Sequence, residues 1–378
     1  MTRTLDILER LIAFPTVSAD SNLALIDYVQ DVLVKVGFDV TRIPSPCRQK
    51  AGLFARIGPA IQGGVCLSAH TDVVPVGHQT WTVPPFKLTR KDGRVHGRGT
   101  TDMKGFLASV LAMAERSGAA DLSEPLSLVI SYDEEIGCVG IREMMPDIRG
   151  LIGKPCAVIV GEPTSMQVAI GHKGKAALRA TCHGESGHSA QAPNFVNAIH
   201  VAADFVQGLR KVQTDLANGA QDKAYAISYS TVHVGKIRGG EALNIVPDQS
   251  VVDFEIRHLA LTPVDEIRAM IDAAARRVEA GFKTSAAKIV IEEVNRYPGL
   301  DTPREADIVS WANHMAGETG ITKVAFGTEA GVFDELGLPV VVMGPGDMTR
   351  DGHKPDEGLD LSDLTACDAM LDRVLSDL

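Results

Sequence analysis

Apolar positions recur at helical spacing at the start of the chain, first at Leu5, Leu8, Leu11 and Ile12, then at Ile26, Val29 and Leu33. Gly37 follows the second set where a helix C-cap belongs. Short uninterrupted apolar runs then alternate with helical stretches as far as Glu162. Val-Cys-Leu-Ser-Ala before His70, Leu-Ser-Leu-Val-Ile-Ser-Tyr before Asp133 and Ala-Val-Ile-Val-Gly before Glu162 read as strands buried on both faces. That order predicts an α/β fold class with a mostly parallel sheet.

The middle third has a different texture. From Lys175 the pattern predicts a strand over 177–183, a helix through Ile199, Ala202, Phe205, Leu209 and Val212, and strands over 228–234 and 251–258. A helix through Val264, Ile267, Ile271, Ala274 and Val278 follows, then a strand over 288–294. Val252, Phe254 and Ile256 alternate with Asp253, Glu255 and Arg257, as in a sheet with one wet face. The order β-α-β-β-α-β is that of a ferredoxin-like α+β unit. The predicted organisation is therefore residues 1–174 as the first part of one domain, 175–294 as an inserted domain, and 295–378 as the second part of the first. In the last part, a helix is expected over 308–315 and strands near 323–326 and 339–343.

Imidazoles and carboxylates gather after the apolar runs. His70, Glu135 and Glu162 each follow one, His353 comes shortly after Val-Val-Val-Met-Gly-Pro-Gly, and Asp102 precedes a helical stretch. In open α/β sheets ligands collect outside the carboxyl ends of the strands. Two histidines and three carboxylates meeting there form a ligand set for two borderline divalent ions, with one carboxylate able to bridge them. Zinc is the first expectation; cobalt and manganese suit the same N/O donors. Asp72, two residues after His70, is placed to orient its ring. In Asp133-Glu134-Glu135 one glutamate can ligate while its neighbour takes a proton from the attacking water. Each piece alone also has a plainer meaning: a turn aspartate, a solvated acidic run, a glutamate before proline, a loop histidine. His188, in Gly187-His188-Ser189-Ala190, could be an exposed turn histidine. Arg257, with Asn244 upstream of it, could offer a guanidinium fork to a substrate carboxylate, or simply pair with a neighbouring acid.

Composition narrows the class. The chain has 378 residues, 45% hydrophobic and 22% charged, ordinary for a globular protein with a real core. A net charge of -11 leaves no basic stripe for phosphates, so nucleic acid is not an expected partner. No apolar run spans a bilayer, no signal-peptide pattern opens the chain, and the six cysteines form neither a C-x-x-C pair nor a compact framework. The expectation is a cytoplasmic protein without membrane partners. Without a G-x-S-x-G elbow, a serine-nucleophile hydrolase is not expected. A metal-stabilised binding protein without turnover would have lost the base or a ligand, and none is missing.

Several segments resemble one metallopeptidase family, that of acetylornithine deacetylase, succinyl-diaminopimelate desuccinylase and the glutamate carboxypeptidases. They are Ser68-Ala69-His70-Thr71-Asp72-Val73-Val74-Pro75, Gly97-Arg98-Gly99-Thr100-Thr101-Asp102-Met103-Lys104-Gly105, Asp133-Glu134-Glu135, Gly161-Glu162-Pro163-Thr164, Gly187-His188-Ser189-Ala190 and Gly352-His353. The resemblance implies that His70 and Glu162 bind one metal, Glu135 and His353 the other, and that Asp102 bridges them through a cis Asp102-Met103 peptide. It implies Glu134 as general base, Asp72 as the orienter of His70, and the inserted domain as a lid through which a homodimer forms. His188 would then reach the partner subunit's site. Gly171-His172-Lys173-Gly174 and Gly327-Thr328-Glu329-Ala330-Gly331 look most like the acetylornithine branch. Thr328 and Glu329 are accordingly expected at the substrate, an N-acylated amino acid, with Glu329 suited to a cationic side chain.

Overall fold

The computed structural model describes residues 2–18, 20–118, 120–282 and 284–378. The chain folds as two compact units: Met1–Gly171 with Thr302–Val324 and Thr328–Leu378, and His172–Asp301 with Ala325–Gly327.

The first unit is built on a twisted sheet whose strands lie in the order Asp39–Pro44, Ala51–Ile57, Leu126–Ser131, Val65–His70, Ala157–Val160, Val340–Val342, Val168–His172. The four strands from Leu126–Ser131 to Val340–Val342 run parallel; the strands outside them join antiparallel. Every residue of the parallel strands is buried, which explains why they read as unbroken apolar runs. Registers of Val65 against Leu126 and Ala157, and of His70 against Ser131, bring the carboxyl ends to one edge. The helices Thr2–Ile12, Leu23–Lys35, Gly105–Ser117 and Leu361–Asp377 contribute to one core through Leu8, Leu11, Ile26, Phe106, Leu111 and Leu371. The predicted stop at Gly37 holds: it takes φ 96°, and Phe38 N–H reaches back to Leu33 O at 3.1 Å.

The second unit carries a four-stranded antiparallel sheet in the order Thr231–Gly239, Gln249–His258, Gly174–His183, Lys288–Tyr297. Helices Ala198–Ala217 and Val264–Gly281 supply Phe205, Leu209, Ile267 and Ile271 to its core, against Leu178, Val252, Phe254 and Ile256. This is the strand order of a ferredoxin-like unit. The third predicted element starts later than expected, at Thr231, and a two-residue ladder pairs Gly187–His188 with Ile245–Val246, which no periodicity announces. Among the described residues no helix is long and apolar enough to cross a membrane, and all six cysteines are unpaired.

Candidate metal centre

His70 is the last residue of its strand, and Glu162 lies two residues beyond the end of Ala157–Val160. Gly161 precedes Glu162 against the Phe106 ring, where an added Cβ would lie 1.9 Å from a ring carbon, so only glycine lets the turn pack there. Glu135 follows Leu126–Ser131 through the tight Asp133 turn, which has φ 54°. His353 departs from the strand-end expectation. Ten residues, among them the short helix Met348–Asp351, separate it from Val340–Val342, and it takes φ 60° in the following loop. Asp102 sits before the helix Gly105–Ser117, and its peptide to Met103 is cis.

These five side chains form two groups that share one carboxylate. His70 Nε2 lies 3.1 Å from Asp102 Oδ1 and 3.6 Å from Glu162 Oε1. His353 Nε2 lies 3.1 Å from Asp102 Oδ2 and 2.9 Å from Glu135 Oε2. In each group the donor atoms fall within 4.8 Å of one another. Asp102 thus turns one oxygen to each imidazole. His70 Nδ1 faces the Asp72 backbone carbonyl at 3.0 Å and the Asp72 carboxylate at 3.5 Å. A proton on Nδ1 satisfies both contacts and leaves Nε2 as the free lone pair, the tautomer a metal ligand needs. The Asp72 carboxylate also accepts from Ser18 Oγ at 2.7 Å and from the Glu134 and Glu135 N–H groups at 3.0 and 3.2 Å. It therefore fixes the acidic loop as well as the ring.

The electrostatics fit a cation site. Burial, then the Asp102 charge, pushes Glu135 up to about 7; burial and Asp102 raise Glu162 well above an ordinary carboxyl. Hydrogen bonds to Asp102 and Glu135 raise His353 to about 10. Burial raises Asp102 too, but hydrogen bonds to His353 and His70 outweigh it and hold its carboxyl below the usual range. Burial opposes a charge on His70, yet Asp102, Asp72 and Glu162 overcome it and raise its proton affinity. The cluster holds protons tightly because its three carboxylates need cations beside them, and imidazoles are the neighbours that supply the charge. Two imidazole and three carboxylate donors in shared array are what two divalent ions of borderline softness bind, in competition with those protons.

Glu134 belongs to neither group. It is 9% exposed, accepts from Cys138 Sγ at 3.1 Å through Oε1, and has its proton affinity raised by burial, Glu135 and Glu329. Glu329 is 1% exposed and accepts from Ser68 Oγ at 3.2 Å, on the strand two residues before His70. It is thus buried against the sheet, not displayed on an open wall, and burial raises it to about 7. Thr328 is buried with its hydroxyl accepting from Ala330 N–H. In the second unit, His188 is exposed, its Nδ1 accepting from Ala190 N–H, and Asn244 O accepts from Ser189 N–H. Arg257 donates to Glu255 at 3.0 Å and to the Tyr297 hydroxyl at 2.9 Å. Ser18 and Glu357 escape the sequence reading; each acts on the centre across a gap in sequence that no periodicity links.

A model of peptidase family M20/M25/M40 matches residues 66–377. The chain is 32% identical over 374 residues to an acetylornithine deacetylase of Myxococcus xanthus, covering 98% of this chain and 96% of that protein. It is 33% identical over 359 residues to an acetylornithine deacetylase of Pasteurella multocida strain Pm70, covering 92% and 91%. Among solved structures, an M20 family metallo-carboxypeptidase from Sulfolobus solfataricus superposes with a TM-score of 0.80 at 18% identity, over 99% of each chain. A dinuclear metal-binding peptidase of the M20 family from Bacillus subtilis superposes at 0.69 and 17% identity, over 100% of this chain and 98% of that one. Those two likenesses are of fold, whereas the family match and the curated relatives extend to sequence: the chain belongs to peptidase family M20/M25/M40.

Proposed function

We propose that the chain is a two-metal amidohydrolase that removes the acyl group from an N-acylated amino acid, converting N2-acetyl-L-ornithine to L-ornithine and acetate. The observation that carries the reading is Asp102 turning one oxygen to each imidazole–carboxylate pair, with Glu134 beside them and bound to neither. His70 and Glu162 would hold one ion, Glu135 and His353 the other, and Asp102 both. Zinc suits the donors, and cobalt would substitute. Bound there, the ions would supply Lewis acidity and offset the carboxylate charge.

The protein's own groups do the rest. Glu134 takes the proton from the attacking water and returns it to the leaving amine, so one C–O bond forms as the amide C–N bond breaks. Asp72 keeps the His70 ring in register and holds the Glu134 loop through backbone N–H groups. His188 donates to the developing oxyanion. Asn244, Arg257 and Thr328 contact the substrate backbone, and Glu329 reads a cationic side chain. The identity to two acetylornithine deacetylases supports that substrate over a succinylated one. We further place the protein in the cytoplasm as a homodimer through the second unit, where Ile237, Leu243 and Ile245 stand exposed.

The test is a turnover panel on metal-loaded protein with N-acetylornithine, N-succinyl-diaminopimelate, other N-acetylamino acids and acylglutamates, before and after chelation and re-addition of metal. Preference for N-acetylornithine with activity restored by metal supports the reading. Turnover indifferent to chelation would overturn the metal mechanism, and preference for another acyl substrate would overturn the assignment.

A further inference from the structure

Glu357 has no place in the donor set, yet its carboxylate is fully buried and takes its hydrogen bonds from the segment that carries Asp102. Oε1 accepts the Thr101 and Asp102 N–H groups at 2.9 and 3.0 Å. Oε2 accepts Gly99 N–H at 2.9 Å and Arg98 Nη1 at 2.6 Å. Its backbone O takes the Gly97 N–H at 3.0 Å. The Asp102 backbone, with φ -118° and ψ 96°, is thus fixed at its nitrogen by a charge-assisted bond from a residue 255 positions away.

The same network returns to His353. Glu357 lies four residues after it in sequence. Arg98 is 1% exposed, stacks on the Trp81 ring at 5.0 Å, and extends Nη2 to Gln79 Oε1 at 2.5 Å. Gln79 Nε2 then donates to the His353 carbonyl at 2.7 Å. His353 needs this support, because its side chain is 49% exposed and its loop belongs to no strand, whereas His70 is held by its strand and by Asp72. A buried ion pair such as Arg98–Glu357 contributes little net stability, but the four bonds that the Glu357 carboxylate accepts constrain the segment around Asp102.

We propose that the Glu357–Arg98–Gln79 network is a positioning device that holds the shared carboxylate of Asp102 in register with His353, and so sets the affinity of the Glu135–His353 position for its ion. The inference rests on the two-metal reading above. Outer groups that orient ligands are typically worth about 10- to 100-fold in metal affinity. In Glu357→Gln the amide NH2 must face donors at one end, so two of the four bonds are lost while shape is kept.

The experiment is cobalt(II) titration of the metal-free full-length protein, followed by absorption and by EPR coupling between the two ions. Glu357→Gln and the milder Gln79→Ala are compared with the parent and with Thr4→Val. The last variant removes a part-buried bond from the buried Thr4 to Asp368, outside the centre, and controls for lost stability. We expect both network variants to bind one equivalent like the parent, and the other about 10- to 100-fold more weakly with altered coupling. Thr4→Val should leave both equivalents unchanged. Should Glu357→Gln fail to fold, Gln79→Ala decides, since it perturbs a half-buried residue. Parent-like binding of both equivalents in the network variants, or an equal weakening in Thr4→Val, overturns the inference. A parent that takes up no second equivalent overturns the two-metal reading itself.

Discussion

Replacing Glu134 by glutamine separates base from ligand more cleanly than any other substitution at the centre. Glutamine keeps the shape of a side chain that is 9% exposed and can still accept from Cys138 Sγ, while the Asp72 contact uses the Glu134 backbone and is untouched. What is lost is the proton acceptor. General acid–base catalysis by a positioned group contributes roughly 10²- to 10⁴-fold, or about 3–5 kcal/mol of barrier. The upper end is expected, because in the proposed mechanism the same carboxylate receives the proton and delivers it to the amine. Metal content should stay at parent level, since Glu134 lies in neither donor group and its charge raises the proton affinity of Glu162. Removing that charge makes the Glu162 carboxylate easier to ionise, which offsets part of the lost attraction for cations. The assay is kcat on N-acetylornithine, with metal determined on the same samples. Turnover within tenfold of the parent would show that another residue activates the water. Loss of an ion alongside turnover would show that Glu134 is a ligand.

Glu329→Ala should cut turnover of N-acetylornithine by about 10- to 100-fold more than that of an N-acetylated apolar amino acid, the worth of a hydrogen bond to a charged group; equal losses would mean that Glu329 acts only on Glu134, whose proton affinity it raises. Mixing inactive His188→Ala with inactive Glu134→Gln protomers should restore activity if His188 serves the partner's site, and no recovery between subunits that demonstrably exchange would confine His188 to its own chain. Acid stability should report on His172, fully buried and depressed from 6.5 to about 4 by burial. The unfolded chain takes up a proton that the folded one refuses, so this contribution is complete above pH 6.5 and falls away towards pH 4 by about 3 kcal/mol. His172→Gln should flatten the urea midpoint across that window, and a slope equal to the parent's would refute the assignment.

The sheet was legible because its strands are buried on both faces. Val65–His70, Leu126–Ser131 and Ala157–Val160 have no wet side, so their apolar runs mark both their existence and the edge where chemistry collects. The second unit was legible for the opposite reason. Gln249–His258 alternates buried and half-buried positions along its length, and period two is a direct readout of a one-sided sheet. The strand Thr231–Gly239 was misplaced at its start, because only Val232 and Val234 pack on the core and every residue from Gly235 to Gly239 is exposed, which leaves little alternation to read. The ladder at His188 is shorter still and rests on two residue pairs.

The centre divides along the same physical line. Groups anchored to strand ends, His70 and Glu162, inherit their position from elements that the pattern reveals. His353 could be named from its residue type, but its route through a short helix and a left-handed turn depends on Asp347 capping that helix at the Thr349 and Arg350 N–H groups. Support for the ligands is harder to see than the ligands themselves. Ser18 reaches Asp72, and Glu357 reaches Asp102, from chain positions 54 and 255 residues apart. A carboxylate that accepts four hydrogen bonds from backbone and arginine looks, in sequence, like one more acid in Lys-Pro-Asp-Glu. Composition shows which atoms could bind an ion; only the folded chain shows which other acids aim them.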